Sequence, residues 1–456
     1  MAIGNSSLFP ERKPALDLLT ATIFPLIEPL IPADLDRHLA AQDQGGWPGI
    51  LTAARMFRLE LLQSCGANVS SQETLRELWQ DWRVLGLVQG SMPSSGSLCE
   101  ARERLPLWPF EMLFKHTASL SRLHLAAPEW SGRRILAIDG VFVSVPRSAN
   151  NYQYFGVTAS QHGEAYYPKA LLVLLGSALQ GTILAERYGT AHDSDQRLGP
   201  LLLQENIGPG DIWLGDSHFG HYPAAAVSLE ADAFFLARVP ANFQIEPRVV
   251  ARHSLDDCDV RLTPSEKICQ HYGHLLLPEH LDLRAVSFDV PAKDRLNGTE
   301  RADFLTNLPR AEYALDSLTR LGCMRWNEET VHNDLKTRLG LGDARTHNPD
   351  GVRREILSHL GMVNAIRLAI MEVYPTAPLR GSFTAALSAI CVANRQLRLL
   401  PQRRDCILEV CDAMIREQPI PPRPPRSEPR LRRPDKRPYD IFKTTRSEWR
   451  EKRKAG

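Results

Sequence analysis

Apolar residues recur at helical intervals through most of the first 125 positions. "WPGILTAARMFRLELLQSC" and "SQETLRELWQDWRVLGLV" each carry one apolar face and predict helices. In "SSGSLCEARERL", Ser97 with Glu100 three residues on has the capping-box spacing, which predicts a helix start at Ser97. The texture changes at Arg133. "RILAIDGVFVSVP" is rich in β-branched residues, and "YYPKALLVLLGSAL" and "GTILAERYG" follow as further strands. "SDQRLGPLLLQENI" then predicts a helix, "IWLGDSHFG" a short strand ending in a loop, "YPAAAVSLEA" a helix and "DAFFLARVP" a strand. Strands followed by strand–helix alternation imply an α/β (α+β) protein, a mixed sheet covered by helices.

Residues 243–310 interrupt that alternation with short apolar runs among Pro, Gly, Asp and His, and predict a β-rich insertion. Helical periodicity resumes near Tyr313 and continues through "NPDGVRREILSHLGMVNAIRLAIMEVY" and "TAALSAICVANRQLRLL". Beyond Gln418 the Pro- and Arg-rich composition resists packing. The organisation expected is therefore a helical segment over 1–125, a core over 126–242, the insertion over 243–310, a second part of the core with C-terminal helices over 311–418, and a basic tail over 419–456.

Composition changes this picture in one place. A chain of 456 residues with 43% apolar and 23% charged residues is ordinary for a soluble protein of two or three domains. Its net charge of +1 hides an asymmetry, because residues 419–456 hold thirteen Lys and Arg against five Asp and Glu. A basic tail on a mildly acidic body fits a polyanion partner, and equally a solvated tail. The eight cysteines form no C-x-x-C pair, which fits reduced thiols in the cytoplasm rather than disulfides or a zinc site. "MAIGNSSLFPERKP" has no signal-peptide pattern, and the apolar stretch after it is broken by Asp17, Glu28 and three prolines, so no membrane association is expected.

The candidate chemistry lies in carboxylates. Asp139 closes the apolar run "ILAID" and Asp216 closes "IWLG". Either alone reads as a turn or cap residue. With a helix-borne glutamate from "RWNEETVHNDLK" they form a set of hard oxygen donors suited to Mg²⁺, and two such ions can run phosphoryl transfer. At about 100° per residue Arg325, Glu329, His332 and Lys336 share one helix face, while Glu328 projects toward the apolar stripe. The same face also fits a surface helix with i,i+4 ion pairs. The geometry leans to Glu329 and leaves Glu328 open. Arg238 ends a strand on the same side of the core, as a phosphate contact or a surface arginine. His271, His274 and His280 lack a fourth ligand and read as loop histidines. Asp193 and Asp195 read as helix caps.

At this point the chain resembles bacterial insertion-sequence transposases of the DDE type, the group named after insertion sequence four. Their signature is Tyr, then Arg three residues on, Glu four later and Lys seven later. Arg325, Glu329 and Lys336 match it, which selects Glu329, whereas the Tyr position falls on Gly322. "LAIDG" resembles the segment of the first catalytic Asp, Asp139. "LGDSHFG" resembles that of the second, Asp216, with Ser217 in place of a common Arg. "DFLTNLP", "NPDGVRREILSHLGMVNAIRLAI" and "PSSGSLCEARERLPLWPFEMLF" are similar to further family segments.

The resemblance implies an RNase H-like core with the insertion ahead of the catalytic helix, and Asp139, Asp216 and Glu329 as catalytic metal ligands. It implies two Mg²⁺ ions, with Mn²⁺ able to substitute, and Arg325 and Lys336 facing DNA; His332, by its place on the same projected face, and Arg238, by its strand end, are further candidates for DNA contact. The partners implied are double-stranded DNA (terminal inverted repeats and target) and a second copy of the chain on paired ends. The setting is the bacterial cytoplasm at the nucleoid. Some relatives stack a flipped base on an aromatic of the insertion, and Phe243, Tyr272 and Phe288 are the rings on offer. A catalytically silent DNA-binding derivative and a stand-alone metal nuclease are the rival readings.

Overall fold

The computed structural model describes residues 17–43, 49–66, 69–122, 130–160, 163–240, 242–273, 275, 277–291, 299–325, 331–342, 344–420 and 451. The chain divides into a main unit, Met1–Val290 with Arg301–Pro421, and a small one, Pro291–Glu300 with Pro422–Gly456. Of the small unit, which holds nearly all of the basic tail, only Pro291, Thr299, Glu300 and Glu451 are described.

The strands are β1 (Ile135–Ser144), β2 (Ala159–Ser160), β3 (Gly163–Glu164), β4 (Lys169–Ser177), β5 (Ile183–Gly189), β6 (Ile212–Gly215), β7 (Phe234–Arg238), β8 (Val249–Ser254), β9 (Asp257–Leu262), β10 (Leu281–Pro291) and β11 (Thr299–Thr306). Apart from the β2–β3 hairpin they form a single sheet in the order β5-β4-β1-β6-β7-β11-β10-β9-β8. β1 and β4, and β4 and β5, are antiparallel, whereas β1, β6 and β7 run parallel. An antiparallel hairpin layer feeding parallel strands through helical crossovers is the RNase H-like arrangement. The insertion is β-rich and continues the same sheet, because β11 pairs antiparallel with β7.

Burial follows composition. β4, "KALLVLLGS", is buried along almost its whole length, as a central strand covered on both faces must be. β8, "VVARHS", is largely exposed at the sheet edge and carries Arg252 and His253 there. On one face, the helices Asp195–Asn206 and Tyr222–Glu230 pack Leu198, Leu202 and Ala225 against Leu136, Ile138 and Trp213. On the other, Val141 and Val143 of β1 join a core shared with Phe57 and Phe110 of the N-terminal helices and with Ile356 and Leu360 of the helix Pro349–Val373. That helix is apolar and long enough to cross a membrane, but 89% of its most apolar window is buried inside the protein, so it is a core helix. Asn364, buried within it, holds both the N–H and the C=O of Ile183 on β5 (2.7 and 2.8 Å).

Two helix starts differ from the sequence expectation. The helix Ser95–Arg104 is capped by Ser94, whose side chain accepts from the Ser97 N–H, and not by Ser97. Pro93 holds the preceding residues extended, so the turn begins at the first serine after it. The helix Asp195–Asn206 is capped by Ser194, and neither Asp193 nor Asp195 is its cap. Asp193 instead accepts from Thr190 and pairs with Arg197 (3.0 Å).

Candidate active site

The parallel pairing of β1, β6 and β7 sets the site. Ile138 lies opposite Gly215, and Gly215 opposite Ala237, so Asp139, Asp216 and Arg238 occupy the next position on three adjacent strands. Strand ends of this kind are where open α/β sheets gather functional groups. The turn after β6 needs its glycines. A Cβ on Gly220 would lie 2.0 Å from the Arg238 carbonyl oxygen, and one on Gly215 would lie 2.8 Å from the Trp213 ring. The Asp216 carboxylate accepts the His218 N–H at 2.8 Å, which closes the turn as an Asx-type bond.

Asp195 is the carboxylate that pattern reading assigned elsewhere. A Cβ on Gly140 would lie 2.1 Å from its Oδ1, so the glycine of "LAIDG" leaves room for a second acid beside Asp139. Its Oδ2 is 3.2 Å from His218 Nδ1, while its Oδ1 is buried with no hydrogen-bond partner among the described residues. Its neighbourhood could not be read from local sequence, because it depends on how its helix docks against β1. Burial raises its pKa, opposed by His218 and reinforced by the Asp216 charge.

Asp139 is largely buried. Burial, and next the Asp216 charge, push its pKa up to about 6, against the Gly140 N–H and the Arg325 charge, which favour ionisation. His332 Nδ1 lies 3.4 Å from Asp139 Oδ2. Burial lowers the Lys336 pKa while the Asp139 charge raises it and Lys169 opposes it, which puts this ammonium within the field of the same carboxylate. Thus Arg325, His332 and Lys336 all surround Asp139. Glu328 and Glu329 lie outside the described residues. A single α-helix through Lys336 does not form. The helix Leu315–Met324 precedes the site, and residues Asp334–Arg338 make a π-turn, so the 100° projection fails before it reaches Lys336. Among the described residues no group of three His, Cys, Asp or Glu side chains is arranged to hold a metal.

The departure at Gly322 has a packing cause. A Cβ there would sit 3.1 Å from the Phe288 ring, which is buried and stacked on Phe304 at 4.3 Å between centroids. The insertion has filled the space a larger residue would need. Gly322→Tyr should therefore overpack the core, costing about 1–3 kcal/mol. Its urea midpoint should fall and should partly recover in a Phe288→Ala background; an unchanged midpoint would contradict this packing account. The three insertion rings, Phe243, Tyr272 and Phe288, are packed into the protein to different degrees. Phe288 and Tyr272 are buried, the Tyr272 hydroxyl donating to Gln196 O at 2.6 Å, and Phe243 is partly buried beneath Arg248. Of the three histidines, His274 is outside the described residues, and His280 lies 3.9 Å from Asp282.

The class of protein follows from comparison with known sequences. Residues 130–365, just over half the chain, match the transposase DDE domain family, and the chain belongs to that family. The match begins just before β1 and ends inside the central helix, enclosing Asp139, Asp216 and the signature segment. Among individual relatives, the chain is similar to transposase InsG for insertion sequence element IS4 of Escherichia coli (strain K12). They are 27% identical over 172 residues, which is 37% of this chain and 38% of that protein. A solved piggyBac transposase synaptic complex with hairpin DNA aligns with 96% of this chain and 89% of its own at 10% identity and a TM-score of 0.41.

Proposed function

We propose that the protein is a cut-and-paste DNA transposase of an insertion sequence, with Asp139, Asp216 and Glu329 as its catalytic acids. The observation that carries this reading is the register of β1 and β6, which sets Asp139 beside Asp216 within a transposase DDE domain. The donor set suits divalent metal. A buried carboxylate whose ionisation a neighbouring acid opposes, as Asp216 opposes that of Asp139, is what a hard cation neutralises. Bound Mg²⁺, or Mn²⁺ in its place, would supply the activated water or hydroxyl and the charge stabilisation of phosphoryl transfer.

The chain's own residues then divide the remaining work. His332 and the Gly140 N–H hold the Asp139 carboxylate in one orientation. Arg325, Lys336 and Arg238 line the approach with positive charge suited to phosphate oxygens. The basic tail adds sequence-independent, salt-sensitive affinity for double-stranded DNA, the helical segment before residue 125 reads the terminal repeats, and two copies act on paired ends in the bacterial cytoplasm.

The test is cleavage of DNA carrying the sequences that flank the coding region. Full-length protein with Mg²⁺ should release a 3′-hydroxyl at the element's ends and join it to a second duplex, and chelation should stop both. Equal cleavage of unrelated DNA without joining would instead identify a nuclease, and end binding without any cleavage a silent derivative.

A further inference from the structure

All the exposed Phe, Tyr and Trp rings among the described residues fall in one stretch of chain. Phe142, Tyr152, Tyr154, Tyr166 and Tyr167 are between 38% and 53% exposed, while every other described ring is buried or partly so. Random surface placement would scatter them. Cations are interleaved with the rings. Arg147 lies over both Tyr152 (5.3 Å) and Tyr166 (4.8 Å), and Lys169 lies over Phe142 (5.7 Å). Tyr166 and Tyr167 meet edge to face at 4.8 Å. From Phe142 to Lys169 the only acid is Glu164, so the strip carries net positive charge.

The strip is also pinned. Ser144 exchanges backbone hydrogen bonds with Gly342 and Ala344 (3.2 and 2.9 Å), just beyond Lys336. Asn151, fully buried, donates to the carbonyls of Pro146 and Thr346. The rings therefore stand on a framework already ordered, which keeps the entropy cost of using them low; the first of them, Phe142, follows Asp139 by three residues on β1. Flat π-faces beside guanidinium and ammonium groups match a ligand that is itself flat, aromatic and anionic. Bases within a duplex hide their faces in the stack, and only unpaired ones can meet these rings.

We propose that this strip is a stacking platform for unpaired nucleotides of the DNA strand that runs past Asp139 and Asp216. The proposal rests on the reading that the protein handles DNA. It is tested on full-length protein with a fluorescein-labelled fifteen-nucleotide thymidine strand and the matching duplex. Stacking on a ring contributes severalfold to about a hundredfold in affinity per base. Tyr152→Ala with Tyr166→Ala should therefore weaken single-strand binding by about tenfold or more, while duplex binding, the salt slope and the melting temperature hold. Tyr152→Phe with Tyr166→Phe should bind as the wild type does. A strand carrying 5-iodouracil should photocrosslink to the peptide spanning residues 148–167.

Equal single-strand affinity in the alanine variant, the same loss with phenylalanine, or crosslinks confined to other peptides would overturn the proposal. So would a change in oligomer mass with binding untouched, which would make the strip a contact between copies. If wild-type protein stacks the strand yet never cuts end DNA with Mg²⁺, the transposase reading fails and the platform stands. If it cuts normally while the alanine variant binds the strand normally, the platform alone fails.

Discussion

Asp139→Asn should abolish end cleavage and, without divalent metal, make the protein harder to melt. The two effects have one origin. Asp139 is largely buried beside Asp216, and its pKa is raised to about 6. A carboxyl that is more basic in the folded state than in the unfolded one contributes no penalty at low pH. Its cost appears as pH rises from about 4 through about 6, and is fully present at pH 7 to 8. A shift of about two units is worth at most some 2–3 kcal/mol, so the neutral amide should raise the melting temperature by a few degrees at pH 7.5 and hardly at all at pH 4. Cleavage should fall by at least about 10³-fold, since the site loses a charged oxygen donor. Added Mg²⁺ should raise the melting temperature of wild type, less so as pH drops below 6, and should leave the variant unmoved. A variant that melts lower without metal at pH 7.5, or still cuts, would refute the assignment.

The second large effect separates the two adjacent glutamates. Glu329→Gln should reduce cleavage as severely as Asp139→Asn, while Glu328→Gln should keep it within about tenfold of wild type. The two flanks of this segment both reach Asp139, Arg325 through its charge and His332 through a 3.4 Å approach. In the sequence Glu329 stands four residues after Arg325 and three before His332, the spacing that one helical face would carry. The same spacing of Arg325, Glu329 and Lys336 matches the signature of the family. Both variants should bind end DNA as wild type does, measured in the same samples. Should Glu328→Gln be dead and Glu329→Gln active, the third acid has been misassigned.

How far the site was legible varies residue by residue. Asp139 and Asp216 stood out because each ends an apolar run, an awkward place for a core acid. Asp195 did not, because its local sequence looks like any helix start, and only the missing Cβ of Gly140 brings it to the site. Gly322 read only as a departure from the signature's Tyr, and its cause lies 34 positions upstream in Phe288, which packs against it. Ser94 rather than Ser97 caps its helix because the choice among clustered serines is set by where Pro93 releases the chain.

The sequence by itself determined the elements and the class. Periodicity marks strands and helices locally, and the acidic motifs together with the Arg-Glu-Lys spacing identify the family, since both are properties of neighbouring residues. Tertiary structure alone decided the neighbours. The parallel register of β1, β6 and β7 aligns Asp139, Asp216 and Arg238. The π-turn at Asp334–Arg338 takes Lys336 off regular α-helical spacing. Burial hides the insertion's rings while leaving those between Phe142 and Tyr167 exposed. Register, burial and field strength arise from contacts between residues far apart in the chain, and no local pattern encodes them.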